Sequence, residues 1–172
     1  MLPKERATRL GDFLNRAALC GDNVPANLIL HSQGLSVEEQ DTLVDFIDEK
    51  LVEGGPIPIF RSYEYRHPSF PTQAIYGFLN PLYPGAILAR LSRRERADLA
   101  SQLLASQKAT LPVSTRGSAR LVLAWARHLG DEGQCRAYET ELAWWIGQDE
   151  ADALTRYLAD AVQHRRMEPQ FL

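Results

Sequence analysis

Residues 36–55 read SVEEQDTLVDFIDEKLVEGG. Ser36 is followed three residues later by Glu39. That is the spacing of a capping box, in which the two side chains satisfy backbone N–H groups that the first helical turn leaves free. Leu43, Phe46, Ile47 and Leu51 then recur at helical spacing and form one apolar stripe, which Gly54-Gly55 ends. A capped start, a periodic body and a glycine stop predict an amphipathic helix with one face in a core. The opposite face carries Glu38, Asp41, Asp45, Asp48 and Glu49, and between Ser36 and Glu53 seven acids stand against Lys50 alone.

The same signals recur on both sides of this stretch. Upstream, Leu10, Phe13, Leu14 and Ala17 share a helical face that Pro3 can open and Gly21 can close. Leu28, Ile29 and Leu30 make an apolar run too short to assign as helix or strand. Downstream, Ser92 and Glu95 form a second capping box before Leu99, Leu103 and Leu104. Leu111-Pro112 breaks that pattern. A stripe of Leu121, Val122, Trp125 and Leu129 closes at Gly130. Another, of Cys135, Tyr138, Leu142, Trp145 and Ile146, closes at Gly147. Asp149 then caps a last helix whose stripe is Leu154, Tyr157, Leu158, Ala161 and Val162. Trp144, about 100° around the helix from Trp145, is expected to be the more exposed of the two. Leu35-Ser36 and Leu91-Ser92 begin similar stretches, a trace consistent with duplication.

Between these helical halves lies a different composition. Residues 54–86 hold six of the ten prolines, four of the six tyrosines and three of the six phenylalanines. The prolines forbid one continuous helix. Pro71 to Leu79 has room for two helical turns, and Ile57, Ile59 and Tyr63 suit a short edge strand. The expected fold is therefore mainly α. It is a single domain over residues 1–172, a helical bundle or helical-hairpin array of about five to seven helices around a Pro/aromatic-rich irregular middle segment.

A chain of 172 residues, 45% hydrophobic and 24% charged, is long enough to bury a core without metal or disulfide support. Cys20 and Cys135 make no disulfide framework, and the expected compartment is a reducing cytoplasm. No apolar run reaches the ~18 residues of a membrane span, and the first twenty residues lack the apolar core of a signal peptide. A net charge of −3 excludes a generally basic nucleic-acid binder but leaves room for a local basic patch.

The chemical motifs are incomplete. His31-Ser32-Gln33-Gly34 resembles half of a nucleophile elbow, but Leu30 stands where the first glycine is needed. Glu64 and His67 have the E-x-x-H spacing of a di-iron ligand pair, yet only one copy exists and Pro68 follows at once. His128 and Glu132 are separated by Gly130, and no C-x-x-C, H-E-x-x-H or glycine-rich phosphate loop occurs. Glu139 and Glu141 beside Trp144 and Trp145 read as a solvated helix face.

Two features point to binding instead. Arg90, Arg93, Arg94 and Arg96 cluster around the Ser92 cap, with Arg61 and Arg66 upstream. In the middle segment Tyr63, Tyr65, Phe70, Tyr76, Phe78 and Tyr83 are interleaved with Arg61, Arg66 and His67, and Tyr and Arg dominate interface hot spots. The leading functional expectation is a non-enzymatic protein-interaction module, an adaptor, chaperone or inhibitor that needs no cofactor. Its partner-binding residues are Arg61, Tyr63, Tyr65, Arg66, His67, Arg93, Arg94 and Arg96, with Asp41, Asp45 and Asp48 on the acidic helix. The alternatives are a small enzyme or ligand binder with a pocket at 54–86, and a nucleic-acid binder through the arginines at 90–96. A membrane role is not expected.

Overall fold

The structure is a computed structural model that describes residues 3–21, 24–63, 75–110 and 116–167. It is mainly helical, with seven helices and one small sheet among the described residues. The elements in order are α1 (Pro3–Cys20), β1 (Val24–Pro25), α2 (Ala26–Ser32), α3 (Val37–Lys50), β2 (Phe60–Tyr63), β3 (Ile75–Phe78), α4 (Tyr83–Leu88), α5 (Arg93–Thr110), α6 (Arg116–Leu129) and α7 (Glu132–Met167).

Both capping boxes form. Glu39 N–H donates to Ser36 Oγ at 3.4 Å, and Ser36 N–H donates to Glu39 Oε2 at 2.9 Å. At α5 the corresponding distances are 3.2 Å and 2.7 Å. Hydrogen bonds from Ser36, backbone first, hold the Glu39 carboxyl below the usual carboxylate range, and those from Ser92 do the same for Glu95. A lowered folded value means that each box contributes above the ordinary carboxyl pKa of 4.5 and loses that contribution as the pH falls through the folded value. Ser36→Ala is expected to cost about 1 kcal/mol of stability at neutral pH. Glu39→Gln should flatten the acid limb of a melting-temperature profile, which calorimetry from neutral to acid pH would read.

The apolar run 28–30 is helical: α2 buries Leu28, Ile29 and Leu30 completely. Side-chain hydrogen bonds tie the N-terminal helices to α5. The Arg16 guanidinium, nearly buried, donates twice to Asp12 Oδ2 at 3.2 Å and once to Gln102 Oε1 of α5 at 2.7 Å. Ser106 Oγ donates to Leu28 O at 3.2 Å, so His31 Nδ1, 2.8 Å away, is the donor to that hydroxyl. Cys20, at the end of α1, is buried; burial pushes its thiol up to about 12, against a smaller opposing effect of the Trp125 side chain.

The middle segment departs from the sequence reading in two respects. Ile75–Phe78, placed within two helical turns by the proline spacing, is the central strand of a three-stranded antiparallel sheet of order β1-β3-β2. Its four residues are all buried, and a strand buried on both faces has no polar alternation to announce it. Gly77 pairs with Arg61, and the Tyr63 ring lies so close over it that a Cβ there would sit 2.7 Å from the ring. Tyr63 does fall in β2, at a sheet edge, whereas Ile57 and Ile59 precede that strand. Phe60 stands at the centre of an aromatic cluster. Its ring centroid lies 4.8 Å from Phe78, 5.6 Å from Tyr76 and 6.2 Å from Phe13 of α1.

The C-terminal helices also differ from expectation. The sequence signals a stop at Gly147 and a new cap at Asp149, but α7 runs unbroken from Glu132 to Met167. Glycine in a helix interior costs about 1 kcal/mol and does not by itself end a helix. A glycine stop uses the left-handed backbone that Gly130 adopts at φ 74°, and Gly147 does not have it. Trp125 is fully buried, Trp145 is partly buried and Trp144 is 55% exposed, the order expected for the adjacent pair. Leu154, expected on a buried stripe, is 59% exposed. No helix among the described residues is long and apolar enough to cross a membrane.

Candidate functional site

The chain leaves α3 through a loop that its own hydrogen bonds hold in place. Ile57 N–H donates to Lys50 O at 3.0 Å, Ile59 N–H to Leu51 O at 2.7 Å, and Phe60 N–H to the same carbonyl at 2.9 Å. Leu79 N–H donates to Ile59 O at 2.9 Å and fastens the far side. Pro56 and Pro58 flank the pinned Ile57 and bring fixed φ angles without unsatisfied N–H groups. The result is a short stiff wall, Pro-Ile-Pro-Ile, whose Ile57 is 63% exposed.

A second wall comes from α4. Asn80 Oδ1 accepts from Leu82 N–H at 2.9 Å and turns the chain, and Pro84 opens the helix in its first turn. Tyr83, Ala86, Ile87 and Arg90 then face the loop, and Leu14 of α1 forms the floor between them. These walls enclose an open groove of about 600 Å³. Arg90 is the single charged residue among the described residues that line it. Leu82, 73% exposed, stands in α4's lead-in next to Tyr83. Among the described residues the groove offers apolar area and one cation but no nucleophile or acid–base pair.

The structure separates the arginines that the sequence groups. Arg90 lines the groove. Arg93 lines a different cleft of about 460 Å³, with Arg127 and Arg136 but also Glu132 and Glu139. In that cleft Arg127 donates to Glu139 at 3.2 Å, so its charge is mixed. Arg94 is exposed and lies 4.0 Å from Asp98 on its own helix. Arg96 is partly buried; burial first, and then the Arg96 charge, hold His128 below its usual pKa. Arg61 and Tyr63 are exposed on β2. Tyr65, Arg66 and His67, with Glu64, Pro68, Phe70 and Pro71, lie outside the described residues.

Asp41 and Asp45 are exposed on α3, and among the described residues no ion pair joins them to the arginines of 90–96. Asp48 plays another part. It accepts the Tyr76 hydroxyl at 2.7 Å, and burial together with this carboxylate raises the phenol above its ordinary range. The three acids are therefore not one interchangeable surface, since Asp48 also satisfies a hydroxyl from the core. Phe46, on the same helix, is covered by the Arg6 guanidinium, 5.3 Å from the ring centre.

The half-elbow at 31–34 is accounted for by the fold. Ser32 Oγ donates to Ile29 O at 2.6 Å within α2, and His31 turns to Ser106. Ser106 is itself buried and gives its proton to a backbone carbonyl, which suits a strut between α2 and α5. No group of three His, Cys, Asp or Glu that could hold a metal occurs among the described residues. Sequence reasoning noted Tyr83 and Arg90 without placing them among the partner-binding residues, and it missed the groove, because Leu14, Ile57 and Ala86 meet only after α1, the loop and α4 pack. The usable signal was Pro-Ile-Pro-Ile itself, a stiff apolar run with no helical or strand partner.

Comparison with protein-family models, curated proteins and solved structures finds no match for this chain.

Proposed function

We propose that this chain is a non-catalytic protein-interaction module whose docking site is the groove between α1, the 56–59 loop and α4. Its partner supplies an apolar segment with a neighbouring carboxylate for Arg90. The observation that carries this reading is an apolar groove with pre-fixed walls, left open beside Ile57 and Leu82. A rigid wall loses little conformational freedom on binding, so more of the apolar burial appears as affinity. The exposed Asp41 and Asp45 add a field that favours a partner basic elsewhere on its surface.

A photo-crosslinking residue at Ile57, introduced in the native host, should capture the partner. Ile57→Asp and Ala86→Arg should then each weaken binding at least tenfold, about 1.4 kcal/mol. Both positions are exposed, so melting temperatures should hardly move. Unchanged partner affinity in both variants would overturn the groove as the docking site. The groove's volume also falls in the range of small-ligand sites. Native mass spectrometry that shows a small apolar carboxylic acid bound to the purified protein, lost in Ala86→Arg, would replace the protein partner with that ligand.

A further inference from the structure

α7 outruns its support. At 1.5 Å per residue its 36 residues span about 54 Å, whereas the 14 residues of α6 beside it span about 21 Å. In its first part α7 lies against α6, and Tyr138 packs against the core. Beyond Trp145 every described side chain is exposed.

The apolar pattern changes face at the same point. Trp144, Gly147, Ala151, Leu154, Leu158 and Ala161 recur at spacings of three, four, three, four and three. This is the repeat of a coiled-coil seam. It lies about 170° around the helix from the stripe of Tyr138 and Leu142, of which Tyr138 packs against the core. Trp144 is 55% and Leu154 59% exposed, and Gly147 and Ala151 are exposed with them. The helix backbone continues regularly through positions 158 and 161.

We propose that this seam joins two copies of the chain, with α7 of one copy antiparallel to α7 of the other. Residue size selects both the partner and the direction. In an antiparallel pair centred between positions 152 and 153, Trp144 is level with Ala161, Gly147 with Leu158, and Ala151 with Leu154. Every layer then sets one large residue against one small residue, the alternation that lets facing helices interdigitate. A parallel pair would set Trp144 on Trp144 and Gly147 on Gly147, a clash followed by a void.

Charge selects the same direction. Asp149, Glu150 and Asp152 form an acidic segment, and His164, Arg165 and Arg166 a basic end. Antiparallel alignment brings Glu139 and Glu141 of one copy to the level of the basic end of the other, whereas parallel alignment lays like on like.

Sedimentation equilibrium of the full chain should give twice the 19.4 kDa chain mass. Leu154→Glu should give the single mass with an unchanged helical spectrum and melting of the core. Ala151→Leu keeps the helix and its apolar character but removes the small member of one layer, and should weaken association at least tenfold. Direction is read by mixing Gly147→Cys and Leu158→Cys chains in a Cys135→Ser background and oxidising them. Disulfides between 147 and 158 are expected in large excess over 147–147 and 158–158. A single-chain mass for the unaltered protein at its highest soluble concentration would overturn the proposal. So would a dimer that Leu154→Glu leaves intact, or one whose disulfides are 147–147 and 158–158.

Discussion

Phe60→Ala should lower unfolding free energy by about 3–5 kcal/mol, the range for emptying a buried aromatic site. Phe60 is fully buried and packs against Phe13, Tyr76 and Phe78, so it links α1 to the two longer strands. Tyr76 and Phe78 cannot collapse cheaply into the space, because Tyr76 is held by its hydroxyl on Asp48 and Phe78 by the backbone pairing of β3 with β2. Chemical denaturation followed by tryptophan fluorescence would give the value. A loss below about 1 kcal/mol, the level of ordinary tolerated substitutions, would mean that the sheet contributes little to the fold.

The second large effect belongs to Gly55. A Cβ on this residue would sit 2.8 Å from Lys50 O and 2.9 Å from Lys50 C, atoms of the last turn of α3. These are backbone atoms, and the same carbonyl accepts the Ile57 N–H. Gly55→Ala must therefore push the loop away from α3 and stretch the bond that fixes the groove's outer wall. Overpacking of this kind costs about 1–3 kcal/mol. Partner binding should fall further than stability, because the groove is displaced even in molecules that stay folded. Gly54→Ala is the useful comparison: its cost is conformational, from φ 97°, with no atom in the way. If Gly55→Ala matched the wild-type protein in both melting temperature and partner affinity, the loop would not be the stiff wall inferred for it.

What the sequence made legible was the local chemistry of helices. Ser36–Glu39 and Ser92–Glu95 act within one turn, so three residues of spacing suffice to read them. Leu43, Ile47 and Trp125 announce their burial by period alone. The strand Ile75–Phe78 was not legible, because its identity comes from partners at Val24 and Phe60 far along the chain. Gly147 misled for a related reason: a glycine ends a helix through the φ it adopts, which composition does not record. The candidate site was legible only as a compositional oddity. The stretch rich in proline and aromatic residues contains most of the groove's walls, but Leu14, its floor, comes from α1 near the start of the chain. The arginines at 90–96 are adjacent in sequence, yet helical geometry sends them to different surroundings.

The three-stranded sheet ends at both sides in edges poorly suited to growth. β1 is two residues long, and its Pro25 lacks the N–H that an incoming strand would need. On the other side Glu53 N–H donates to Phe60 O at 2.8 Å, so the start of β2 is already covered from within the chain. Past that point the strand carries the exposed Arg61. A short proline-bearing edge and a covered, charged one are standard defences against edge-to-edge aggregation. An apolar groove can therefore stand open without the sheet beside it offering a template for fibrils.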